Sequence, residues 1–512
     1  MRGTKVVLVG AGPGDPGLLT IKGKQYLRAA DVVIYDRLVC DEILKYAPGA
    51  KKIYVGKAPG KHSASQREIN DILLREAAAG GLIVRLKGGD PYLFGRGAEE
   101  AHALAQHEIP FEVVPGVTSA LAVAAYAGIA VTNRGFSRSV HILTGHAREN
   151  EEISFDFDAL CRMDGTLVFL MAVANLSMIA EGLLNAGMAS DMPAAVVENG
   201  TLPQQRMITG TLASIATQVE TEEIRNPAVF IVGWVCSPSA IIDWRSMLPL
   251  IGRTAVVTRP EGREEPLGEK LRALGAQVMH APCIEIESVD SRPVQDVLRR
   301  IDDFSWLVLT NSEGVKRLFA VVDDMGMDAR ALSSVKIAVV GAGTAQELKK
   351  YGVRADYLPE KYDAVHLAEG MSARINAGER ALLLRAEKGT DVLSDRLEQA
   401  GIVVEDIALY KTVLARQLPK AVEKQLCENR VDYVIFSSAS TVEGFAACMP
   451  EMKKSGFTAV CIGDASCAAA RAQGYCAIGA ANATVDCIVE ALLLEEERKD
   501  ERNRSPSPSA AE

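Results

Sequence analysis

The chain has 512 residues, 48% hydrophobic and 24% charged, with a formal net charge of −10. That is the balance of a folded globular protein of several domains, and the acidic surplus argues against a nucleic-acid binder. No apolar run approaches the roughly 20 residues that a membrane-spanning helix needs.

The chain opens on charges at Arg2 and Lys5, but its apolar run breaks at once into Gly-Ala-Gly-Pro. That is a poor signal peptide, and a cytoplasmic location is expected. Ten cysteines run from Cys40 to Cys487 without a Cys-x-x-Cys pair, and seven histidines lack any metal-ligand spacing. Reduced, buried thiols are expected, and a metal site has no support.

The first element, VVLVGAGPGDPGLLT at 6–20, is a strand that enters a glycine loop and then a helix start. Against the dinucleotide pattern Gly-x-Gly-x-x-Gly, Gly10 and Gly12 fit, but Asp15 stands where the third glycine belongs. That glycine lets a helix N-terminus face a pyrophosphate. A carboxylate there disfavours an anion, so a neutral or cationic ligand is expected. DVVIYDRLV follows as a strand, then a helical pattern in QREINDILLREAAAGG. LIVRLKGGDPYLFGRGAEE places Gly88-Gly89-Asp90-Pro91 at a strand's end and Gly95-Arg96-Gly97 ahead of a helix. FEVVPGVTSA, VHILTG, TLVFLMA and AVFIVGWV complete an α/β pattern. Three glycine or proline loops after strands point to one shared cleft, because open α/β sheets bind ligands at their carboxyl edges.

A break falls near SPSAIIDWRSMLPLIGRT, and TAVVTRPEG at 254–262 starts a second set. This half repeats itself. WLVLTNSEGVKRLF (306–319) parallels YVIFSSASTVEGF (433–445), and AVVGAGTAQELKKYG (338–352) parallels VCIGDASCAAARAQG (460–474). Two similar α/β lobes are expected, each giving one hydroxyl turn and one glycine turn. The end, EEERKDERNRSPSPSAAE, is charged and then Ser/Pro-rich, and reads as disordered.

VGAGPGDPGLLT, YDRLV, RLKGGDPYLFGRGAEE, VVPGVTSA, TGH (144–146) and GT (200–201) resemble, in order, uroporphyrinogen-III C-methyltransferase, a tetrapyrrole methylase. The resemblance implies two α/β lobes with S-adenosyl-L-methionine between them, and a homodimer. It also explains the absent third glycine, since the donor is a sulfonium cation without phosphate. Carried over, Pro13, Gly88, Gly89, Asp90, Leu93, Thr118, Ser119, Met171 and Gly200 would contact the donor. Asp90 would be a ribose or charge partner. Asp36 and Lys57 match the family's proton acceptor and donor. The eight carboxylates of the acceptor need cations, for which Arg37, Lys57, Lys61, Arg67, Lys87, Arg96, Arg134 and Arg138 are candidates. Two positions depart from the family's Gly-Ile-Pro-Leu-Thr-His-Arg: Ala130 replaces the proline and Asn133 the histidine.

The second half, from TAVVTRP through LTNSEGV, VVGAGTA, LLLRAEKGTDVLSDRLEQAGIVVEDIALYKT, FSSASTVEGF and IGDAS, resembles uroporphyrinogen-III synthase. That family has two α/β lobes of doubly wound sheets joined by a two-stranded linker. It implies one lobe from about 253–287 and 416–495, with the other between. Arg259, Thr310, Asn311, Ser312, Thr344, Ser437, Ser438, Ser440 and Ser466 would line its cleft, with Tyr410 a proton donor. For each of these singly, a turn or helix-cap role serves as well.

The expected organisation is a methyltransferase at 1–245, a synthase at 251–495 and a disordered tail at 496–512. The synthase would close hydroxymethylbilane to uroporphyrinogen III with inversion of ring D, needing no cofactor. The methyltransferase would then methylate it twice to precorrin-2, on the way to sirohaem or cobalamin. The alternative is a methylase for another tetrapyrrole precursor, with a non-catalytic C-terminal binding module. A dinucleotide oxidoreductase is disfavoured by Asp15.

Overall fold

The computed structural model describes residues 3–56, 65–146, 155–260, 265–389, 391–450 and 456–504. The chain divides into two compact units, Met1–Met247 and Leu248–Glu512.

In the first unit, β1 (Lys5–Gly10), β2 (Val32–Tyr35), β3 (Lys51–Tyr54), β4 (Leu82–Lys87) and β5 (Phe111–Val114) form a parallel sheet in the order β3-β2-β4-β1-β5. Alternate residues serve opposite faces. Val7, Val9, Val84 and Leu86 enter one core, and Val6, Val32, Ile34 and Ile83 the other. A sheet covered on both sides has strands that read as unbroken apolar runs, which is why β1, β2 and β4 are visible in the sequence.

The second sheet of this unit is mixed. It holds β6 (Val140–Thr144), β7 (Thr166–Leu170), β8 (Pro193–Glu198), β9 (Arg206–Thr211) and β10 (Ala228–Val232), in the order β6-β7-β10-β8-β9, and only β6 and β7 run parallel. Leu167, Phe169, Val196 and Phe230 face the helices Leu176–Asn185 and Ile215–Thr221. Val168, Ala195, Val229 and Ile231 face the helix Ser119–Tyr126. That helix follows β5 but packs on this second sheet, so the two lobes of the unit are sewn together by its alanine-rich surface. Strands β3, β8 and β9 escape a reading by apolar runs. KKIY and RMITGT are exposed edge strands, and PAAVVE is proline-led and alanine-rich.

The second unit has two further sheets. β11 (Thr254–Val257), β12 (Gln277–His280), β18 (Tyr433–Phe436), β19 (Thr458–Cys461) and β20 (Cys476–Gly479) are all parallel, in the order β12-β11-β18-β19-β20. β13 (Ile284–Ser288), β14 (Trp306–Leu309), β15 (Lys336–Val339), β16 (Arg380–Ala386) and β17 (Val403–Leu414) run in the order β13-β17-β16-β14-β15, with β13 antiparallel to β17. Both sheets are covered on each face, as a doubly wound fold requires.

The internal repeat becomes β14–helix Ser312–Asp324–β15–helix Ala342–Lys350 in one lobe and β18–helix Ala439–Cys448–β19–helix Asp464–Ala472 in the other. In each copy the two strands are parallel neighbours. Two expectations are corrected. Residues 284–287, assigned from sequence to the first lobe, lie in β13 and pair with the end of β17 in the other lobe's sheet. Residues 496–504 continue the helix Val485–Arg504 instead of starting a tail, and 505–512 fall outside the described residues. Glu496 is buried and accepts from Arg253 Nε at 2.7 Å and from the Tyr433 hydroxyl. Ile488, Val489 and Leu492 anchor the same helix in the core, which is why the charged turns after it stay ordered.

Candidate active sites

The glycine loops of the first unit meet at the carboxyl ends of β1, β4 and β5. Gly12 and Gly89 exchange backbone hydrogen bonds, with Gly89 N donating to Gly12 O at 2.7 Å and Gly12 N to Gly89 O at 3.2 Å. Gly10, Gly89 and Gly116 touch through bare backbone. A Cβ on Gly10 would lie 2.4 Å from Gly116 Cα, and one on Gly116 would lie 2.2 Å from Gly89 O. No other residue fits at either place. Asp90 latches the loops: its Oδ1 accepts from Tyr92 N at 2.8 Å and its Oδ2 from Gly116 N at 3.0 Å.

Above this floor lies a cavity of about 780 Å³ between the two lobes of the unit. Pro13, Gly88, Gly89, Asp90, Leu93, Thr118, Ser119, Met171 and Gly200 all line it, as do Asp36, Arg37 and Lys87. The mixed sheet supplies the opposite wall, including Asn175, Asn199 and Pro227, which the sequence reading missed. Phe94, Met171 and Asn199 also line it and hold left-handed φ values of 54°, 55° and 49°. Such strain in non-glycine residues collects where a ligand is clamped. Cys40 is in the wall as a neutral thiol, since burial and then Glu42 push it up to about 12.

Some expectations need correcting. Asp15 does not present its carboxylate to the cavity. It caps the turn Pro16–Leu18 through Gly17 N at 2.7 Å and accepts from the Tyr126 hydroxyl at 2.7 Å. Arg96 is outside the lining, exposed, and paired with Glu99 at 2.7 Å. Arg67, Arg134 and Arg138 are also outside it. Lys57 and Lys61 fall outside the described residues. Asn133, at the departed histidine position, closes a turn by donating its N–H to Ser137 O at 3.1 Å.

One end of the cavity has a charged floor in which Arg85 and Glu100, not singled out from the sequence, join Asp36 and Lys87. Asp36 Oδ1 accepts from Leu38 N at 3.1 Å, and Arg85 Nη2 stands 3.5 Å from its Oδ2. Arg85 and Lys87 both reach the buried Glu100, at 3.1 and 2.8 Å. Burial, and then the neighbouring Arg85 charge, hold Lys87 below the usual lysine range. Alternation on β4 was the available signal: Arg85 and Lys87 share one face of an otherwise apolar strand.

In the second unit the expected hydroxyls sit at helix starts. Asn311 caps the helix Ser312–Asp324 by accepting from Gly314 N at 2.9 Å, and its amide donates to the Tyr410 hydroxyl at 2.8 Å. It also donates to Thr310 Oγ1 at 3.3 Å. Ser438 caps the equivalent helix through Thr441 N at 3.2 Å and lies 2.9 Å from Ser440 Oγ. Ser312 and Ser437 are half-buried beside these caps, and Arg259 follows β11. Thr344 and Ser466 are buried, and Ser466 donates to Gly463 O at 2.8 Å. Tyr410 is only 5% exposed, within the core of its lobe. The geometry therefore gives it, Thr344 and Ser466 structural positions. Thr310, Asn311, Ser437 and Ser438 remain at the loops that follow β14 and β18, and Ser312 and Ser440 in the first turns of the helices after them.

A two-lobed unit around a glycine-walled cavity, followed by a doubly wound two-lobed unit, defines a two-module α/β enzyme of small-molecule chemistry. Residues 5–216 match the family model Tetrapyrrole (Corrin/Porphyrin) Methylases, and residues 265–490 match Uroporphyrinogen-III synthase HemD. The chain is 43% identical over 490 residues to the Porphyrin biosynthesis protein HemD of Ruminiclostridium josui, covering 95% of this chain and 97% of the relative. It is 41% identical over 355 residues to the Uroporphyrinogen-III C-methyltransferase of Bacillus subtilis, covering 69% of this chain and 72% of that one. Among solved structures, Uroporphyrin-III C-methyl transferase from Thermus thermophilus, complexed with S-adenyl homocysteine, aligns with a TM-score of 0.40 and 42% identity. It covers 45% of this chain and 98% of its own. The chain belongs to the family of porphyrin-biosynthesis proteins in which a tetrapyrrole methylase is fused to a uroporphyrinogen-III synthase.

Proposed function

We infer that the chain is a bifunctional tetrapyrrole enzyme. Its second unit converts hydroxymethylbilane to uroporphyrinogen III, and its first methylates that product twice to precorrin-2. What carries this reading is the coincidence of nine expected donor-contact residues and Asp36 in one cavity, on a chain related over 95% of its length to a porphyrin-biosynthesis protein.

The residues fit S-adenosyl-L-methionine. Beneath the cavity, Gly10, Gly89 and Gly116 meet through bare backbone where a Cβ on Gly10 or Gly116 would collide, two carboxylates line the cavity, and no phosphate-binding third glycine is present. When bound, the donor supplies an electrophilic methyl group on a sulfonium. Gly88, Gly89 and Asp90 would hold it from the parallel sheet, and Met171 and Gly200 from the mixed sheet. Forming a carbon–methyl bond on the macrocycle leaves that ring cationic, and a proton must depart to restore neutrality. Asp36 is the base at hand, with Arg85 Nη2 3.5 Å from its Oδ2. Arg37 would take an acceptor carboxylate at the same end, while Lys87, 5% exposed, is held by Glu100.

In the second unit, loss of the bilane hydroxyl leaves a cationic chain end, so the work is to hold both ends for one ring closure. The capped turns after β14 and β18 offer paired hydroxyls and helix-start N–H groups to the carboxylate arms. A homodimer through the first unit is part of the proposal, as is a cytoplasmic location. No helix among the described residues is long and apolar enough to cross a membrane.

The test supplies purified protein with hydroxymethylbilane and methyl-labelled S-adenosyl-L-methionine without oxygen. Two labelled methyl groups on a type III macrocycle are expected. Unmethylated uroporphyrinogen III would remove the methyl-transfer assignment, and type I product alone would remove the synthase.

A further inference from the structure

Glu100, in the first turn of the helix Gly97–Gln106, has a fully buried side chain. Its Oε1 accepts from Arg85 Nε at 3.1 Å, Lys87 Nζ at 2.8 Å and Gln66 Nε2 at 3.4 Å. Its Oε2 has no hydrogen-bond partner among the described residues. Arg85 and Lys87 are themselves buried, with side chains 3% and 5% exposed. Arg85 turns its far end to Leu86 O at 3.0 Å and to Asp36, which is 27% exposed at the cavity. Three elements thus contribute to one buried set of two cations and two carboxylates. An unshared charge here would be strongly unfavourable, and removing one member leaves the others uncompensated.

We propose that Glu100 is a positioning residue for methyl transfer, holding Arg85 and Lys87 in place and setting the charge against which Asp36 accepts a proton. This rests on reading the first unit as the methyl-transfer site. Arg85, Lys87 and Glu100 together carry one net positive charge beside Asp36. Gln66 is neutral, and Arg96 is neutralised by Glu99 at the surface. Two substitutions move this balance in opposite directions. Glu100→Gln raises it to two positive charges and holds Asp36 ionised to lower pH. Lys87→Met reduces it to zero and lets Asp36 take its proton at higher pH.

The experiment is the pH profile of kcat for methyl transfer to uroporphyrinogen III, on the full chain and on each variant. The acid limb is expected to fall by at least about half a pH unit in Glu100→Gln and to rise by a similar amount in Lys87→Met. The substrate is the same in all three assays, so a difference between their limbs is set by the substituted charge. Slower turnover with an unmoved limb in both variants would mean a merely structural role and overturn the inference alone. Absence of methyl transfer by the unaltered chain would overturn the reading of the site, and the inference with it. Should Glu100→Gln fail to fold, Lys87→Met decides by itself: an upward limb supports the inference, and an unmoved one overturns it.

Discussion

Gly116→Ala puts the cradle itself to the test. The added Cβ would stand 2.2 Å from Gly89 O and 2.7 Å from Gly10 Cα, both backbone atoms with no rotamer to yield. Carbon contacts relax at about 3.5–4.0 Å, so the loops after β1, β4 and β5 must part by about 1 Å. Overpacking of this kind destabilises by about 1–3 kcal/mol. For a unit of this size that lowers the melting temperature by about 2–12 °C. The larger effect is on function, since a displacement of about 1 Å in a positioning loop lowers turnover by about a hundredfold. Calorimetric titration with S-adenosylhomocysteine is expected to show at least about tenfold weaker binding, following the factor of ten per 1.4 kcal/mol. Gly343→Ala is the control: it lies in the helix Ala342–Lys350, no atom is within 4 Å of its Cβ position, and its effect is expected to be neutral or slightly stabilising. Unchanged donor affinity and melting in Gly116→Ala would refute the claim that the three-glycine contact builds the site.

In the second unit, Asn311→Ala removes a helix cap and the amide that holds the Tyr410 hydroxyl, and should lower stability by about 1–2 kcal/mol in a denaturant titration. Tyr410→Phe should lower stability by about 1 kcal/mol and leave ring closure within about threefold, because the hydroxyl is buried and engaged. A hundredfold loss would return it to a proton-donor role. Gly444→Ala would set a Cβ 2.1 Å from Cys283 O, so a destabilisation of about 1–3 kcal/mol is expected there too. Glu112 gives a pH prediction. Hydrogen bonds from Lys22, Lys5 and Tyr26 depress its carboxyl to about 2. A depressed carboxylate contributes stability above its unfolded value of 4.5 that is lost as pH falls from there to about 2. The group is partly exposed, so solvent screening reduces this to about 1 kcal/mol. Acid titration of the Glu112→Gln variant should lack this component.

Strand periodicity, the glycine loops and the internal repeat are local patterns, and residues 306–319 and 433–445 predicted equivalent strand–turn–helix units because each fits within a short stretch of sequence. The residues that line the cavity were legible for the same reason: most sit in motifs at strand ends, and the topology then gathers those ends. Tertiary structure alone decided the rest. Asp15 looked like a ligand-facing carboxylate until Tyr126, 111 residues away, took its free oxygen. Tyr410 looked available until β17 carried it into a core, and the charged stretch 496–504 looked disordered until Glu496 met Arg253 across 243 residues of chain. Glu99 and Glu100 are adjacent acids in the first turn of one helix, and nothing near them in sequence distinguishes the buried one from the exposed one. Packing does: one carboxylate points to solvent, and the other is buried where two cations from β4 need it. Composition and period specify which faces are apolar, but a polar side chain's role depends on what the fold brings to it.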